Sequence, residues 1–199
     1  MRRGFKAYAT RLAIEVRSEI GLDPHAVLDP VVLAHEYGIP VYPLSEAVNF
    51  GCSASALEYF SDLGRKSFSA ALVPDGIGRF IIENDSHAAT RRRSNIAHEM
   101  AHVLLEHSFT TLILGAEGCR AVDPDTESEA DWFAGELLIP SDAARLLALK
   151  GLSNDAIAHH FGISEQLAAM RMNVSGARKL AARTRDSRQK LHGGFTPMT

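Results

Sequence analysis

The 199-residue chain has only two cysteines, Cys52 and Cys119, too few for a disulfide framework, so the expected setting is reducing and cytoplasmic. It has no segment approaching the ~18 uninterrupted apolar residues of a membrane span. Arg11, Glu15 and Arg17 interrupt the N-terminal stretch where a secretory signal would need its apolar region. Eight prolines and fifteen glycines are too few for a fibrous or disordered chain. Charge of one sign is also missing: the formal net charge of −3 rules out a wholesale electrostatic commitment to nucleic acid or an anionic membrane. What remains is 46% hydrophobic and 23% charged, an ordinary globular composition, long enough for one domain with an appended subdomain.

Hydrophobic periodicity organises the chain. Tyr8, Leu12, Ala13, Val16 and Ile20 recur at three- and four-residue steps, predicting an amphipathic helix that Gly21 and Pro24 stop. Asp29-Pro30 reads as an N-cap followed by a first helical proline, with Val32, Leu33 and Tyr37 on one side. Between Ala54 and Asp85 the period falls to two, and Phe68–Val73, Pro74-Asp75-Gly76 and Arg79–Glu83 read as a hairpin in a small antiparallel sheet. Helices are expected over 91–107, 127–138, 141–150, 154–161 and 164 to roughly 183. The fold class is α+β and mostly helical. The expected division is a domain over 1–140, a helical subdomain over 141–185 and a basic, disordered tail over 186–199. From Arg171 onward the chain carries +6, against −9 before it, a charge split that reads mainly as a solvated helix and secondarily as a contact for nucleic acid or an acidic partner.

His98-Glu99-Met100-Ala101-His102 is an H-E-x-x-H. At 100° per residue the two histidines stand one turn apart on one helical face and can reach a single ion. Glu99, on the adjacent flank, can take a proton from water activated by that ion. Chance would produce the pattern roughly 0.03 times in such a chain, so context matters. Ile96, Ala97, Met100, Ala101, Val103, Leu104 and Leu105 make the helix apolar around its circumference, and buried histidines beside a glutamate are costly without a cation to pair them.

A catalytic zinc site needs a third protein ligand and leaves a position for water. The metzincin pattern fails, since Leu105 and Ser108 occupy the positions of its Gly and His. His107 lies off the ligand face and reads as a helix C-terminal histidine favoured by the dipole. In Glu127-Ser-Glu-Ala-Asp131, Glu127 and Asp131 share a face at i, i+4, so Glu127 can ligate while Asp131 orients a histidine through its distal nitrogen. Glu129 is the rival ligand. This is glutamate-zincin logic, and the main domain is expected to be zincin-like. The competing structural reading is a closed zinc site or a metal-free buried polar cluster; a closed site would more often use thiolates, and neither cysteine has ligand spacing.

These residues resemble the ImmA/IrrE family of metallopeptidases. The likeness runs from Ile82-Glu-Asn84 through Arg91-Arg-Arg-Ser-Asn-Ile-Ala-His98-Glu-Met-Ala-His102-Val-Leu-Leu to Glu127-Ser-Glu-Ala-Asp131-Trp-Phe-Ala-Gly-Glu-Leu-Leu-Ile-Pro140. The family's usual aromatic-Thr pair before the metal helix is Ser94-Asn95 here, a departure that removes no ligand. The resemblance implies a zinc-dependent endopeptidase, often acting on helix-turn-helix repressors in stress or mobile-element regulation.

The expected chemistry is peptide hydrolysis with Zn²⁺, or alternatively Mn²⁺, held by His98, His102 and Glu127, and Glu99 as general base. Tyr59, His87 and Arg93 are candidate oxyanion donors because they lie near the sheet or the metal helix in sequence. A regulated sensor with an intact but latent site is a further reading. So is a DNA-binding regulator: Ala158–Ser164, followed by Leu167 and Met170, has helix-turn-helix spacing, although the second helix gains a base only at Arg171.

Overall fold

The computed structural model describes residues 1–62, 68–107 and 123–193. Cys119 and Ser108 lie outside them. The protein is a mostly helical α+β structure in which two central helices, α4 (Ala89–Leu104) and α5 (Pro124–Leu138), pack against each other and α4 also packs against a small sheet.

The first helix, α1 (Phe5–Glu19), buries Phe5, Ala9, Ala13 and Val16 against α5. Its Arg17 is fully buried as well, and the reason lies in the end of α5. Nη2 donates to the carbonyl of Leu137 at 2.6 Å and Nη1 to that of Ala26 at 2.9 Å, so the guanidinium satisfies carbonyls that a helix end and a turn leave without backbone partners. Burial pulls the Arg17 pKa down to about 10, and the side chain remains a cation at neutral pH. In α2 (Pro30–Glu36), Asp29 accepts from the amide of Val31 at 2.9 Å and Pro30 opens the first turn, as the sequence predicts.

Three strands form one sheet in the order β1-β3-β2. Strands β2 (Ala70–Asp75) and β3 (Gly78–Glu83) make the expected hairpin, with Leu72 opposite Ile81. The expectation of a purely antiparallel sheet is corrected: β1 (Val41–Pro43) pairs with β3 in parallel, Val41 opposite Ile81, so the sheet is mixed. Chain between β1 and β2 is also more helical than its period suggests. A 3-10 helix spans Leu44–Phe50, and α3 (Ala54–Ser61) starts where Ser53 Oγ accepts from the amide of Ala56 at 3.2 Å. Arg92 of α4 clamps Glu83 at the end of β3, its Nε lying 2.9 and 3.0 Å from the two carboxylate oxygens.

After α5 come α6 (Ser141–Leu149), α7 (Asn154–Phe161), α8 (Glu165–Val174) and α9 (Ala177–Gly193). The single helix expected from Ser164 onward is two, because Gly176 sits at φ 72° between them, a left-handed conformation that ends α8 at low steric cost. Ser153 and Ser164 cap α7 and α8 through the amides of Ala156 and Leu167. Arg171 of α8, the base expected on the second helix of the helix-turn-helix, is not on the surface. It is fully buried and paired with Glu136 of α5, so α8 has no exposed base with which to grip phosphate. Among the described residues, no helix is long and apolar enough to cross a membrane.

Candidate metal centre

Helix α4 supplies His98, Glu99 and His102, and its packing explains how polar groups come to sit inside. Ile96, Ala97, Met100 and Ala101 are buried in the main core, which fixes the helix's rotation and turns 98 and 102 toward α5. On α5, Ala130, Phe133, Ala134, Leu137 and Leu138 form the complementary core stripe. The opposite face then presents Glu127 and Asp131 to the histidines. Asp123 begins this helix, accepting from the amide of Asp125 at 3.1 Å, with Pro124 in the first turn.

Three donor atoms converge. His98 Nε2 lies 3.0 Å from His102 Nε2 and 3.1 Å from Glu127 Oε2, and His102 Nε2 lies 3.3 Å from Glu127 Oε1. Tetrahedral donors about 2.0–2.1 Å from a zinc ion stand roughly 3.3 Å apart, so the three atoms form a face of the right size. Proton accounting favours a cation at its centre. His98 Nδ1 is 2.9 Å from Asp131 Oδ1, and when it donates there its Nε2 carries a lone pair aimed at a carboxylate oxygen. Two acceptors at that distance repel unless a proton or a metal lies between them. The same set of His98, His102 and Glu127 is the one that brings ligand atoms together among the described residues.

The alternative occupant is a proton, and the electrostatics show the competition. Burial works against protonation of His98, but the Asp131 hydrogen bond and the carboxylates of Glu99, Asp131 and Glu127 outweigh it and raise its pKa. Asp131, held by that hydrogen bond to His98, stays below the ordinary aspartate range. A site that attracts a proton this way attracts a divalent cation for the same reason.

Glu99 is 5% exposed and its Oε2 accepts from the backbone amide of Leu72 at 3.1 Å. Leu72 opposes Ile81 in the hairpin, and its N–H points off the outer edge of β2 toward α4. The strand thereby fixes the carboxylate beside the histidines. Glu129, the rival ligand, faces elsewhere: it accepts from the Arg2 amide at 2.7 Å and the Arg2 Nε at 3.1 Å, and Arg2 Nη2 lies 3.0 Å from its other oxygen.

His107 is a correction to its reading as a dipole-stabilising helix end. Its Nδ1 lies 3.0 Å from His102 Nδ1. The cause is the helix stop: Glu106 takes φ 54°, its amide donates to Val103 O, and the His107 amide donates to His102 O, both at 3.0 Å. This is the six-to-one turn of a Schellman motif, which folds the residue after the left-handed one back over the last helical turn. Glycine usually marks such a turn, so Glu106 hid it. Burial lowers the His107 pKa against the opposing pull of Glu129.

The oxyanion candidates are scattered. Arg93 donates to Leu28 O at 2.5 Å and lies 3.8 Å from Asp29, tying α4 to the start of α2. Tyr59 is half exposed on α3, stacked edge-on against Phe60. His87 is buried in the turn before α4, its amide donating to Asn84 O.

No curated protein sequence matches the chain significantly. The family model described as the IrrE N-terminal-like domain, Peptidase M78, matches residues 47–173. That interval covers more than half of the chain and includes the hairpin, α4, α5 and the whole histidine–carboxylate cluster, so the protein belongs to the IrrE N-terminal-like family of metallopeptidases.

Proposed function

We propose that the protein is a zinc-dependent endopeptidase of the glutamate-zincin type that cleaves a protein substrate in the cytoplasm. His98 and His102 of α4 and Glu127 of α5 hold the metal, and Asp131 keeps the His98 ring in the tautomer that points its lone pair inward. The observation that carries the reading is the convergence of three ligand atoms within 3.0–3.3 Å of one another, with a second, non-ligating carboxylate, Glu99, fixed alongside. Zn²⁺ suits two imidazoles and a carboxylate, and Mn²⁺ is the alternative occupant.

A bound divalent ion would supply Lewis acidity, polarising the scissile carbonyl and bringing the pKa of a water down toward about 7. Glu99 takes the proton from the attacking water and delivers it to the leaving amine, so the C–N bond breaks without releasing an amide anion. Leu72 N–H, donating to Glu99, keeps this carboxylate in place through both transfers. The resemblance to the ImmA/IrrE family supports a helix-turn-helix transcriptional repressor as the substrate and stress or mobile-element regulation as the setting.

The test replaces Glu99 with Gln. General base catalysis is worth about 10²–10⁴-fold, so Glu99→Gln abolishes cleavage of a co-expressed helix-turn-helix repressor, read by mass spectrometry, while the purified variant keeps one metal per chain. A variant that loses its metal, or one that still cleaves at the wild-type rate, overturns the assignment of Glu99.

A further inference from the structure

The two candidate ligand histidines differ in what holds their outer nitrogens. For His98 it is the carboxylate of Asp131. For His102 the group in reach is a neutral-capable ring, His107, with the two Nδ1 atoms 3.0 Å apart. The contact is built into the backbone, because the positive-φ residue Glu106 returns the chain so that the His107 amide bonds to His102 O. Both side chains are largely buried, 4% and 11% exposed, so water does not readily replace either partner.

The proton positions follow from the donor inventory of imidazole. His102 must offer a lone pair at Nε2 to ligate, so its hydrogen sits on Nδ1. Donation across the 3.0 Å gap then requires a lone pair on His107 Nδ1, which places the His107 hydrogen on Nε2. That atom is buried, has no hydrogen-bond partner among the described residues, and faces Glu129 Oε2 at 4.0 Å. Glu129 is in turn held by the Arg2 amide and guanidinium. The negative carboxylate on that side favours the hydrogen on Nε2 over one on Nδ1, and so selects the tautomer of His107 that can accept.

We propose that His107 is a positioning residue of the metal site: it accepts the Nδ1–H of His102, fixing that ring's tautomer and orientation, and is itself held by the Glu106 turn and the Glu129–Arg2 pair. This rests on the reading of His98, His102 and Glu127 as metal ligands. It assigns a role to His107 and Glu129 that the hydrolytic reaction itself does not use, and it makes the site depend on the N-terminal segment, 127 residues away in sequence from Glu129.

Zn²⁺ affinity of the purified chain is measured by competition with a chromogenic chelator, alongside thermal unfolding. His107→Ala should weaken binding about 10–100-fold, the usual effect of removing the partner of a ligating histidine. His107→Asn, whose amide oxygen can stand where Nδ1 stood, should recover most of that loss. A long-range ¹H–¹⁵N spectrum of the zinc-loaded wild type should show His102 protonated at Nδ1 and His107 at Nε2. Wild-type affinity in His107→Ala, equal losses in the Asn and Ala variants, or the opposite His107 tautomer each overturns the proposal. If His107→Ala fails to fold, the Asn variant and the wild-type spectrum decide alone. A wild type that binds no Zn²⁺, or that binds it equally well after Glu127→Ala, refutes instead the metal-site reading beneath it.

Discussion

The joint between α5 and the C-terminal helices depends on a buried ion pair, and its removal should be expensive. Arg171 Nη2 contacts Glu136, both side chains being 1% exposed, and also donates to the carbonyl of Ile139 at 2.9 Å, with Nε donating to the same oxygen at 3.2 Å. Ile139 is the C-cap of α5, so the guanidinium serves a helix end as well as a carboxylate. Glu136 in turn accepts from the amide of Ser141 at 2.7 Å and its hydroxyl at 3.0 Å, which caps α6. Replacing Arg171 by Met keeps the volume but leaves Glu136 charged and buried and Ile139 O without this partner. Breaking such a pair from one side costs about 3–5 kcal/mol. For a chain of this size each kcal/mol is about 2–4 °C in Tm, so Arg171→Met should lower Tm by roughly 6–20 °C. The assay is thermal unfolding followed by circular dichroism, with Glu136→Gln made in both backgrounds as a double-mutant cycle. Glu136→Gln should destabilise the wild type and cost less, or even stabilise, where Arg171 is already Met. A Tm within about 3 °C of wild type for Arg171→Met, or an equal effect of Glu136→Gln in both backgrounds, refutes the claim that α8 is anchored through this pair.

Two further outcomes concern the metal. Glu127→Ala should abolish stoichiometric zinc uptake, whereas Glu129→Ala should retain one ion per chain with weakened affinity, as read by metal analysis after gel filtration; the reverse pattern would exchange their roles. Zinc affinity should rise with pH above the ordinary histidine range, because the raised His98 pKa means that the ion competes with a proton held there. Asp131→Asn removes one cause of that rise, so the same titration should shift to lower pH while the plateau affinity falls about 10–100-fold; an unshifted pH profile would show that Asp131 does not tune His98.

What was legible in the sequence was whatever follows from periodicity inside one element. A helix places residues at 98 and 102 on one face and 127 and 131 on another, and the apolar positions tell which way each face turns, so the cluster of His98, His102, Glu127 and Asp131 could be assembled from two short segments. The hairpin was legible for the same reason, since its strands are neighbours in the chain, although Pro74 and Asp75 still pair with Arg79 and Gly78 and the turn itself is Gly76-Ile77. The parallel pairing of β1 with β3 was not, because Val41 and Ile81 are joined by a crossover that no local pattern encodes.

Charged residues misled where their partners are remote. Arg171 reads as surface charge on an exposed helix until Glu136, 35 positions earlier, is known to face it. Glu129 stays open as the rival to Glu127 until Arg2 is found against it. In both cases a single buried charge is prohibitive and a pair is not, so burial of one residue is decided by another that periodicity cannot locate. His107 failed for a different reason. Helix rules continue the 100° step past the end of α4 and place it off the ligand face, but the helix stops at Leu104 and Glu106 turns left-handed. A left-handed glutamate costs about 1–2 kcal/mol relative to the ordinary helical conformation. The pairing of His107 with His102 and the two returning backbone hydrogen bonds offset that cost, so the turn and the candidate metal site stabilise one another.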